Sequence, residues 1–417
     1  MDNMRINLFA LLKSVSGAQD LVSPLLSNHQ QQVAYLSCRL AERLGLPVEE
    51  QRDVFLAGLV HDIGAVSKDQ RLEFIENEPY YINNHAFIGA KLLQECGPLQ
   101  KIGSLVKYHH LPWENGQGIC CGEEKVNFGS HIIHVADRAC SAINKDENIL
   151  TQLPAIIKAI KGGSKNVFVP SIIEALEQLS EEEYIWFDIL SRYPADRIDT
   201  SRFEMEELYI EDIIEVTLLF SYIIDFRSKF TSRHSAGVAN TARELARLSG
   251  FSQTDCKYML VAGYLHDLGK LAISNEILEK PGKLTMDEFN EIRSHTYYTY
   301  HLLDAIPEFE EIKGWAAYHH ERLDGKGYPF HLKGDQLSKG ARIMAVADVF
   351  TAITEDRPYR EGMNDEMILR VLNNMVKENA LDGEIVSLLA DNFAAIKEIQ
   401  EKARKEASEK YEAFLFL

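Results

Sequence analysis

The same series of histidines and aspartates occurs twice in this sequence, in the same order and at nearly constant spacing. Each member of the first series has a counterpart 205 to 211 residues later: His29 and His234, His61-Asp62 and His266-Asp267, His85 and His295, His109-His110 and His319-His320, Asp137 and Asp348. The sequence around them repeats too, since AGLVHDIG at 57–64 aligns with AGYLHDLG at 262–269. This pattern indicates an internal duplication, so the chain should contain two copies of one fold.

The apolar residues favour helices throughout. Val33, Leu36 and Leu40 recur at helical spacing, and few windows alternate as a strand would. The sequence therefore predicts an all-α protein of two tandem helical domains related by duplication. We expect the domains to span 1–195 and 196–417.

Two local features refine this prediction. A strongly apolar helix is expected over 209–230, where it would connect the halves and pack within the second domain; a homodimer formed through it is the alternative. Ser180 and Glu183 have the spacing of a capping box and predict the start of a short helix.

Composition excludes several classes of partner. The net charge of −19 argues against binding to a nucleic acid polymer or an anionic membrane surface. The most apolar stretch, 213–226, contains Glu215 and Asp225 and is too short and too charged for a membrane span. The six cysteines form no CxxC pair, which favours reduced thiols. With no signal-peptide pattern at the N-terminus, we expect a cytoplasmic protein.

The repeated residues have the chemistry of a metal site. In the second copy, the candidate ligands come from several helices: His234, His266, Asp267, His295, His319, His320 and Asp348. An aspartate such as Asp267 can bridge two cations through its two oxygens. This nitrogen and oxygen set exceeds what one tetrahedral zinc takes, and it suits two divalent transition-metal ions, with iron or manganese favoured.

A distinctive turn follows the paired histidines of the second copy. Residues 324–329 read DGKGYP, and glycine and proline at this density force a sharply bent loop beside the metal ligands. Lys270 follows the His266-Asp267 pair and brings a positive charge close to the candidate ligands. The turn and Lys270 occur once in the chain, because the first copy has ENGQG at 114–118 and Ala65 instead.

On these motifs the sequence resembles the HD superfamily of metal-dependent phosphohydrolases, and its second half resembles the HD-GYP branch over about 230–362. The resemblance implies hydrolysis of a cyclic dinucleotide, either cyclic di-GMP or 3′,3′-cyclic GMP-AMP, with the linear dinucleotide or two mononucleotides as the final product. It implies catalytic roles for Asp267 and Lys270. It also implies a set of substrate-binding residues: Asp324, Gly325, Gly327, Tyr328, Pro329, Arg357 and Arg360.

Two positions depart from the HD-GYP pattern. Members with three metal ions carry a glutamate four residues before the first histidine, where this chain has Phe230, so two ions are expected. Members commonly carry a second aspartate three residues after the last ligand, where this chain has Thr351, so the surroundings of the metal should differ there.

The first copy keeps a complete candidate ligand set, which predicts a second metal site with up to two further ions: His29, His61, Asp62, His85, His109, His110 and Asp137. Three interpretations are open for it: a second phosphohydrolase resembling 5′-nucleotidases, a regulatory metal or nucleotide site, or a structural relic. For the whole chain, the alternatives are a phosphohydrolase acting on other nucleotides and a non-catalytic cyclic-dinucleotide receptor.

Overall fold

Helices make up nearly all of the regular structure in the computed structural model, which describes residues 4–20, 28–65, 83–163, 166–225, 233–280, 282–355 and 362–415. The described strands are two residues long: Ile6–Asn7 (β1), Cys120–Cys121 (β2), Glu124–Lys125 (β3) and Glu207–Leu208 (β4). Strands β2 and β3 form an antiparallel hairpin in which Cys120 lies opposite Lys125. The prediction of an all-α fold is confirmed.

The described residues divide into two compact units, Asn7–Glu207 and Leu208–Leu417, the latter joined by the segment that ends at Ile6. This division falls after the boundary that we expected near 195, because the residues that follow 195 pack back onto the first unit. Arg52, for example, donates a hydrogen bond to the carbonyl oxygen of Glu204 at 2.8 Å.

The described part of the first unit contains a series of helices, two of which are separated by Gly45-Leu46-Pro47. They are Leu8–Asp20 (α1), His29–Arg43 (α2), Val48–Leu59 (α3), Asn83–Gln94 (α4), Gln100–Lys107 (α5), Phe128–Ser141 (α6), Ile149–Gly163 (α7), Pro170–Ser180 (α8) and Glu183–Ile189 (α9). The predicted capping box at Ser180 is wrong. Ser180 ends α8, where its hydroxyl donates to the carbonyl of Glu177, and Glu182 precedes α9.

The second unit repeats this order and extends it at the C-terminus. Its helices are Ile210–Asp225 (α10), His234–Leu248 (α11), Gln253–Leu265 (α12), Asn275–Leu278 (α13), Met286–Asp304 (α14), Glu310–Ala317 (α15), Lys339–Thr354 (α16), Asp365–Lys377 (α17), Gly383–Asp391 (α18) and Phe393–Leu415 (α19). Capping boxes begin two of them, Ser252 with Asp255 at α12 and Thr285 with Glu288 at α14.

The apolar helix expected over 209–230 is α10 as far as Asp225, and the rest of that range lies outside the described residues. Its Ile214 and Leu218 pack against Ala239, Leu260 and Tyr264 of the same unit. Within the described part of the chain, no helix combines the length and the apolar character that a membrane span requires.

Glycines bring the motif-bearing helices into close contact in both units. A Cβ atom added at Gly58 would lie 2.6 Å from Cα of Ala34, and one at Gly263 would lie 2.4 Å from Cα of Ala239. Gly64 and Gly269 allow similar close contacts after α3 and α12. A Cβ atom added at Gly64 would lie 2.1 Å from the backbone oxygen of His85 in α4, and one at Gly269 would lie 1.9 Å from that of His295 in α14. The close packing of α2 on α3, and of α11 on α12, brings the histidine that begins one helix beside the histidine that follows the other: the rings of His29 and His61 are 5.4 Å apart, and those of His234 and His266 are 5.5 Å apart.

Candidate metal centres

Five segments of the second unit bring the predicted ligands to one buried point. His234 begins α11, His295 lies within α14, and Asp348 lies within α16. The other ligands follow helix ends: His266 and Asp267 come directly after α12, and His319 and His320 come just after α15. Helix α12 ends before His266, and a 3₁₀ turn over Leu268–Ala272 continues the chain.

Asp267 lies at the centre of this arrangement and is 2% exposed. Its Oδ2 atom is 3.2 Å from Nε2 of His266, and its Oδ1 atom is 3.3 Å and 3.8 Å from Nε2 of His295 and His319. The two carboxylate oxygens therefore face different histidines, as a carboxylate that bridges two cations would.

Asp348 organises the other side of the cluster. Its Oδ1 atom is 3.2 Å from Nε2 of His234, and its Oδ2 atom is 3.6 Å from Nδ1 of His320. The ligand atoms form two groups, each with its members within 4.8 Å of one another: His234, His266 and Asp348, and His295, His319 and His320. Asp267 connects the two groups, because it forms a third group of this kind with His266 and His319.

Backbone hydrogen bonds fix the orientation of three of these rings. Nδ1 of His266, His295 and His319 lies 2.6–2.8 Å from the carbonyl oxygen three residues earlier. Because Nδ1 must then carry the proton, the lone pair of Nε2 points into the cluster, as a metal ligand requires.

Burial and neighbouring charges favour metal-binding protonation states at His295, His319 and Asp267. Burial, reinforced by the adjacent His320, holds the pKa of His319 well below its usual value, and burial lowers the pKa of His295 to about 3. Burial alone would raise the pKa of Asp267, but His266 and Lys270 outweigh it and hold that pKa well below its usual range. Neutral imidazoles beside an ionised carboxylate are good ligands.

The donor atoms themselves fit a bound cation. Nε2 of His266 and Oδ1 of Asp267 are buried and meet no hydrogen-bond donor among the described residues. Polar atoms buried in this way are costly unless something occupies the space that they face. Acceptor atoms with no donor, arranged around a common centre, are what a divalent transition metal would satisfy.

Lys270 places a positive charge beside this centre. Its Nζ atom lies 2.5 Å from Oδ2 of Asp267, and its side chain is 21% exposed. Burial would lower the pKa of Lys270, but Asp267 outweighs it and raises that pKa, so the ammonium group stays charged. Lys270 also lines a pocket of about 240 Å³, together with the candidate ligands His234, Asp267, His295, His320 and Asp348.

The turn predicted to shape the pocket lies against the paired histidines. The Tyr328 ring centre is 4.9 Å from that of His320, and Gly325 adopts the left-handed conformation, with φ of 73°. A Cβ atom at Gly327 would lie 2.4 Å from backbone atoms of Glu321 and Arg322, so only glycine fits there.

The other residues predicted to bind substrate are less well placed by the structure. The carboxylate of Asp324 forms an ion pair with Arg322 at 2.9 Å, which indicates a role within the turn. Pro329 follows Tyr328, and Arg357 and Arg360 lie outside the described residues.

Glu321 holds this turn in place, although we assigned it no role from the sequence. It is 2% exposed, and its two oxygens accept hydrogen bonds from the backbone N–H groups of Phe330 at 2.7 Å and Leu332 at 3.0 Å. Its position directly after His319-His320 was the available signal.

The first unit repeats the centre with closely similar geometry. Oδ1 of Asp62 is 3.2 Å from Nε2 of His85 and 3.9 Å from Nε2 of His109, while Oδ1 of Asp137 is 3.1 Å from Nε2 of His29. Two groups form again: Asp62, His85, His109 and His110, and His29, His61 and Asp137. Nδ1 of His61 and His109 lies 2.9 Å and 2.7 Å from backbone carbonyl oxygens, so these rings are oriented as in the second unit.

The surroundings of the first centre differ from those of the second. The Arg138 guanidinium is 2.8 Å from Oδ2 of Asp137, where the second copy has Val349. Gln30 donates to Oδ2 of Asp62 at 3.4 Å, and the buried His134 ring lies 5.6 Å from that of His110. Sequence reasoning missed these residues because they fall outside the repeated motifs.

Comparison with known proteins agrees with the duplication. The HD-domain family matches residues 26–148 and again residues 219–385. A 3′3′-cGAMP-specific phosphodiesterase of Vibrio cholerae is 30% identical over 402 residues, an alignment that covers 94% of this chain and 92% of the relative. A cyclic di-GMP phosphodiesterase of Pseudomonas aeruginosa is 41% identical over 143 residues, 34% of each chain.

A solved structure shares the fold. The crystal structure of a cyclic GMP-AMP specific phosphodiesterase from Vibrio cholerae superposes with a TM-score of 0.66 at 23% sequence identity, covering 94% of this chain and 98% of that one.

Proposed function

The chain belongs to the HD-domain family of phosphohydrolases, and on that premise we propose that its second unit hydrolyses a phosphodiester bond of a cyclic dinucleotide. The observation that carries the proposal is the buried cluster around Asp267, with Lys270 at 2.5 Å and the Tyr328 turn beside it. The substrate class follows from the cyclic-dinucleotide phosphodiesterases to which the chain is similar. Either 3′,3′-cyclic GMP-AMP or cyclic di-GMP is the substrate, and the first product is the linear dinucleotide.

Two divalent ions, iron or manganese, would be held by the two ligand groups that share Asp267. When bound, such ions supply Lewis acidity toward the phosphodiester and lower the pKa of a water molecule. Lys270 offers an ammonium group to the charge that grows on the phosphate oxygens. The turn at 324–329 orients the nucleotide, and Arg357 and Arg360 bind its phosphates, as the family pattern implies.

The first unit supports a second candidate activity, hydrolysis of a phosphomonoester such as the end of the linear product. Arg138, 2.8 Å from the ligand Asp137, adds a guanidinium group at a position where the second unit has none. A terminal phosphate is a dianion, which a guanidinium group suits. A regulatory role for this centre remains the alternative.

A pair of equivalent substitutions tests both assignments. Asp267→Asn and Asp62→Asn each remove the central carboxylate of one centre and change no volume. Metal-replete wild type and both variants would be incubated with cyclic GMP-AMP, cyclic di-GMP and the linear dinucleotides, and the products followed by chromatography. Metal content per chain would be measured by mass spectrometry.

We expect about four ions in the wild type and about two in each variant. Asp267→Asn should lose cleavage of the cyclic substrate, while Asp62→Asn should keep it and lose any dephosphorylation of the linear product. A wild type that binds cyclic dinucleotide without turnover would instead be a receptor, and a wild type that cleaves only mononucleotides would be a nucleotidase. Either result would overturn the proposal.

A further inference from the structure

His234 is held between two buried carboxylates. Its Nε2 atom is 3.2 Å from Oδ1 of the candidate ligand Asp348, and its Nδ1 atom is 3.2 Å from Oε2 of Glu355. Glu355 is 3% exposed and follows the last residue of α16. The other oriented rings of this centre donate Nδ1–H to a backbone carbonyl, so His234 differs in donating to an anion.

Thr351 and Glu355 lie one helical turn apart, and both face α19. Position 351 is where relatives of the HD-GYP type commonly carry a second aspartate. Here the Thr351 hydroxyl accepts a hydrogen bond from Nε2 of Gln400 at 3.0 Å. A residue four positions later on a helix occupies the same face, so Glu355 brings a longer carboxylate side chain to the same region.

The C-terminal helix places a positive charge beside this carboxylate. Nε of Arg404 on α19 lies 3.7 Å from Oε1 of Glu355, and Gln400, one turn earlier, accepts a hydrogen bond from Thr354 at 3.1 Å. Gly237 lets α19 approach α11, since an added Cβ would lie 3.1 Å from Thr351 and 3.2 Å from Arg404. The arrangement runs from Arg404 through Glu355 to His234.

We propose that Glu355, which forms an ion pair with Arg404 of the C-terminal helix, is the positioning residue that holds His234 for metal binding and takes over the part of the aspartate that Thr351 replaces. A carboxylate that accepts Nδ1–H fixes the ring and makes Nε2 a stronger donor to a metal ion. This inference rests on the proposed function in one respect: it requires that a metal ion binds to His234. Glu355 itself contacts neither the ion nor the substrate.

The duplication supports the assignment from within the chain. Positions 140 and 144 are equivalent to Thr351 and Glu355 by the offset of Asp348, and they hold Cys140 and Asn144. Asn144 is exposed and donates to Glu147 rather than to a histidine. The carboxylate of Glu355 therefore occurs only in the unit that also has Lys270 and the turn at 324–329.

The test compares metal affinity in Glu355→Gln, in the double variant Glu355→Gln with Thr351→Asp, and in Glu401→Gln, an exposed control on α19. Full-length protein stripped of metal would be titrated with Mn²⁺ and the bound ion followed by electron paramagnetic resonance. Thermal unfolding of the metal-free proteins would report folding, and hydrolysis of a cyclic dinucleotide would be measured at limiting and at saturating Mn²⁺.

Glu355→Gln should bind Mn²⁺ in the second unit about 10–100-fold more weakly, because the amide accepts the hydrogen bond without a charge. Its hydrolysis should fall at limiting Mn²⁺ and recover at saturation, and Thr351→Asp should restore part of the affinity. If Glu355→Gln lowers the unfolding temperature but leaves the affinity unchanged, the pair with Arg404 is structural and the inference is wrong. If wild type binds Mn²⁺ but cleaves no cyclic dinucleotide, the proposed function alone fails; if wild type binds no Mn²⁺, both fail.

Discussion

Lys270 and Asp267 form the closest charge pair of the second centre, with Nζ 2.5 Å from Oδ2. Asp267 is also surrounded by His266, His295 and His319, so the lysine is one of several groups that keep it ionised. Ala65 stands at the position of Lys270 in the first unit, where the ligand cluster nevertheless assembles. Lys270 is therefore dispensable for building the site and available for the reaction.

Replacing Lys270 with methionine should lower kcat for the cyclic dinucleotide by roughly 10²–10³-fold, since a preorganised positive charge beside the reacting phosphate is lost. Metal content should stay at the wild-type value. Lys257→Met removes a more exposed lysine that pairs with Glu211, and it serves as the control. Steady-state kinetics at saturating metal measure the effect, and an unchanged kcat would remove Lys270 from the mechanism.

Glu321→Gln should loosen the turn at 324–329. Both carboxylate oxygens accept backbone N–H groups, and a glutamine would point its amide donor at one of them, which costs about 1–3 kcal/mol for a buried pair. We expect KM for the cyclic dinucleotide to rise several-fold with metal content unchanged. Glu311→Gln, an exposed neighbour on α15, is the matched control. Equal KM values for Glu321→Gln and wild type would show that the turn does not contact substrate.

Gly269→Ala should destabilise the second unit by about 1–3 kcal/mol or more, because the new Cβ would lie 1.9 Å from the His295 carbonyl oxygen and displace a ligand helix. Metal affinity should fall with it. At Gly162, in α7, an added Cβ meets nothing within 4 Å, so Gly162→Ala should be neutral or slightly stabilising. Chemical denaturation of the metal-free proteins measures both, and equal effects would contradict the packing argument.

Asp225 should make stability depend on pH. Burial raises the pKa of Asp225 from its usual 3.8 to about 7, while its oxygens accept hydrogen bonds from Ser235. Between these values the folded chain binds this proton more readily than the unfolded chain does. The stabilisation that the protonated Asp225 gives to the folded state is therefore present at low pH and is lost as pH rises toward 7. The loss is up to about 1.4 kcal/mol per pH unit for one proton.

In Asp225→Asn this contribution is absent, so the free energy of unfolding should fall less steeply from pH 4 to 7 than in wild type. If Asp225→Asn also loses a hydrogen bond to Ser235, the free energy of unfolding falls by the same amount at every pH. The difference in slope between variant and wild type is then unaffected. Denaturation of metal-free protein at several pH values measures it. Parallel curves would mean that Asp225 titrates normally in the folded chain.

The sequence predicted the parts of the site that repeat. His234, Asp267 and Asp348 could be found because duplication leaves the same residue types at a constant offset, and a metal site tolerates few other types. Glu355 and Arg138 could not be found in this way, since each occurs in one unit only: the equivalent positions of the other unit hold Asn144 and Val349. The error at Ser180 has a different origin: the capping pattern was present, but tertiary packing extended α8 to include that serine.

The close contacts at Gly58 and Gly263 set the distance between the backbones of two neighbouring helices in each unit. The ligand geometry is thus anchored in backbone that few substitutions can alter, whereas the loops after the paired histidines are free to diverge. After an ancestral gene doubled, one half could acquire a turn suited to a new phosphate ester while both kept their coordination spheres. The two units can then differ in substrate through changes in this loop alone. Replacing residues 111–127 with residues 321–338 would test whether the loop is sufficient.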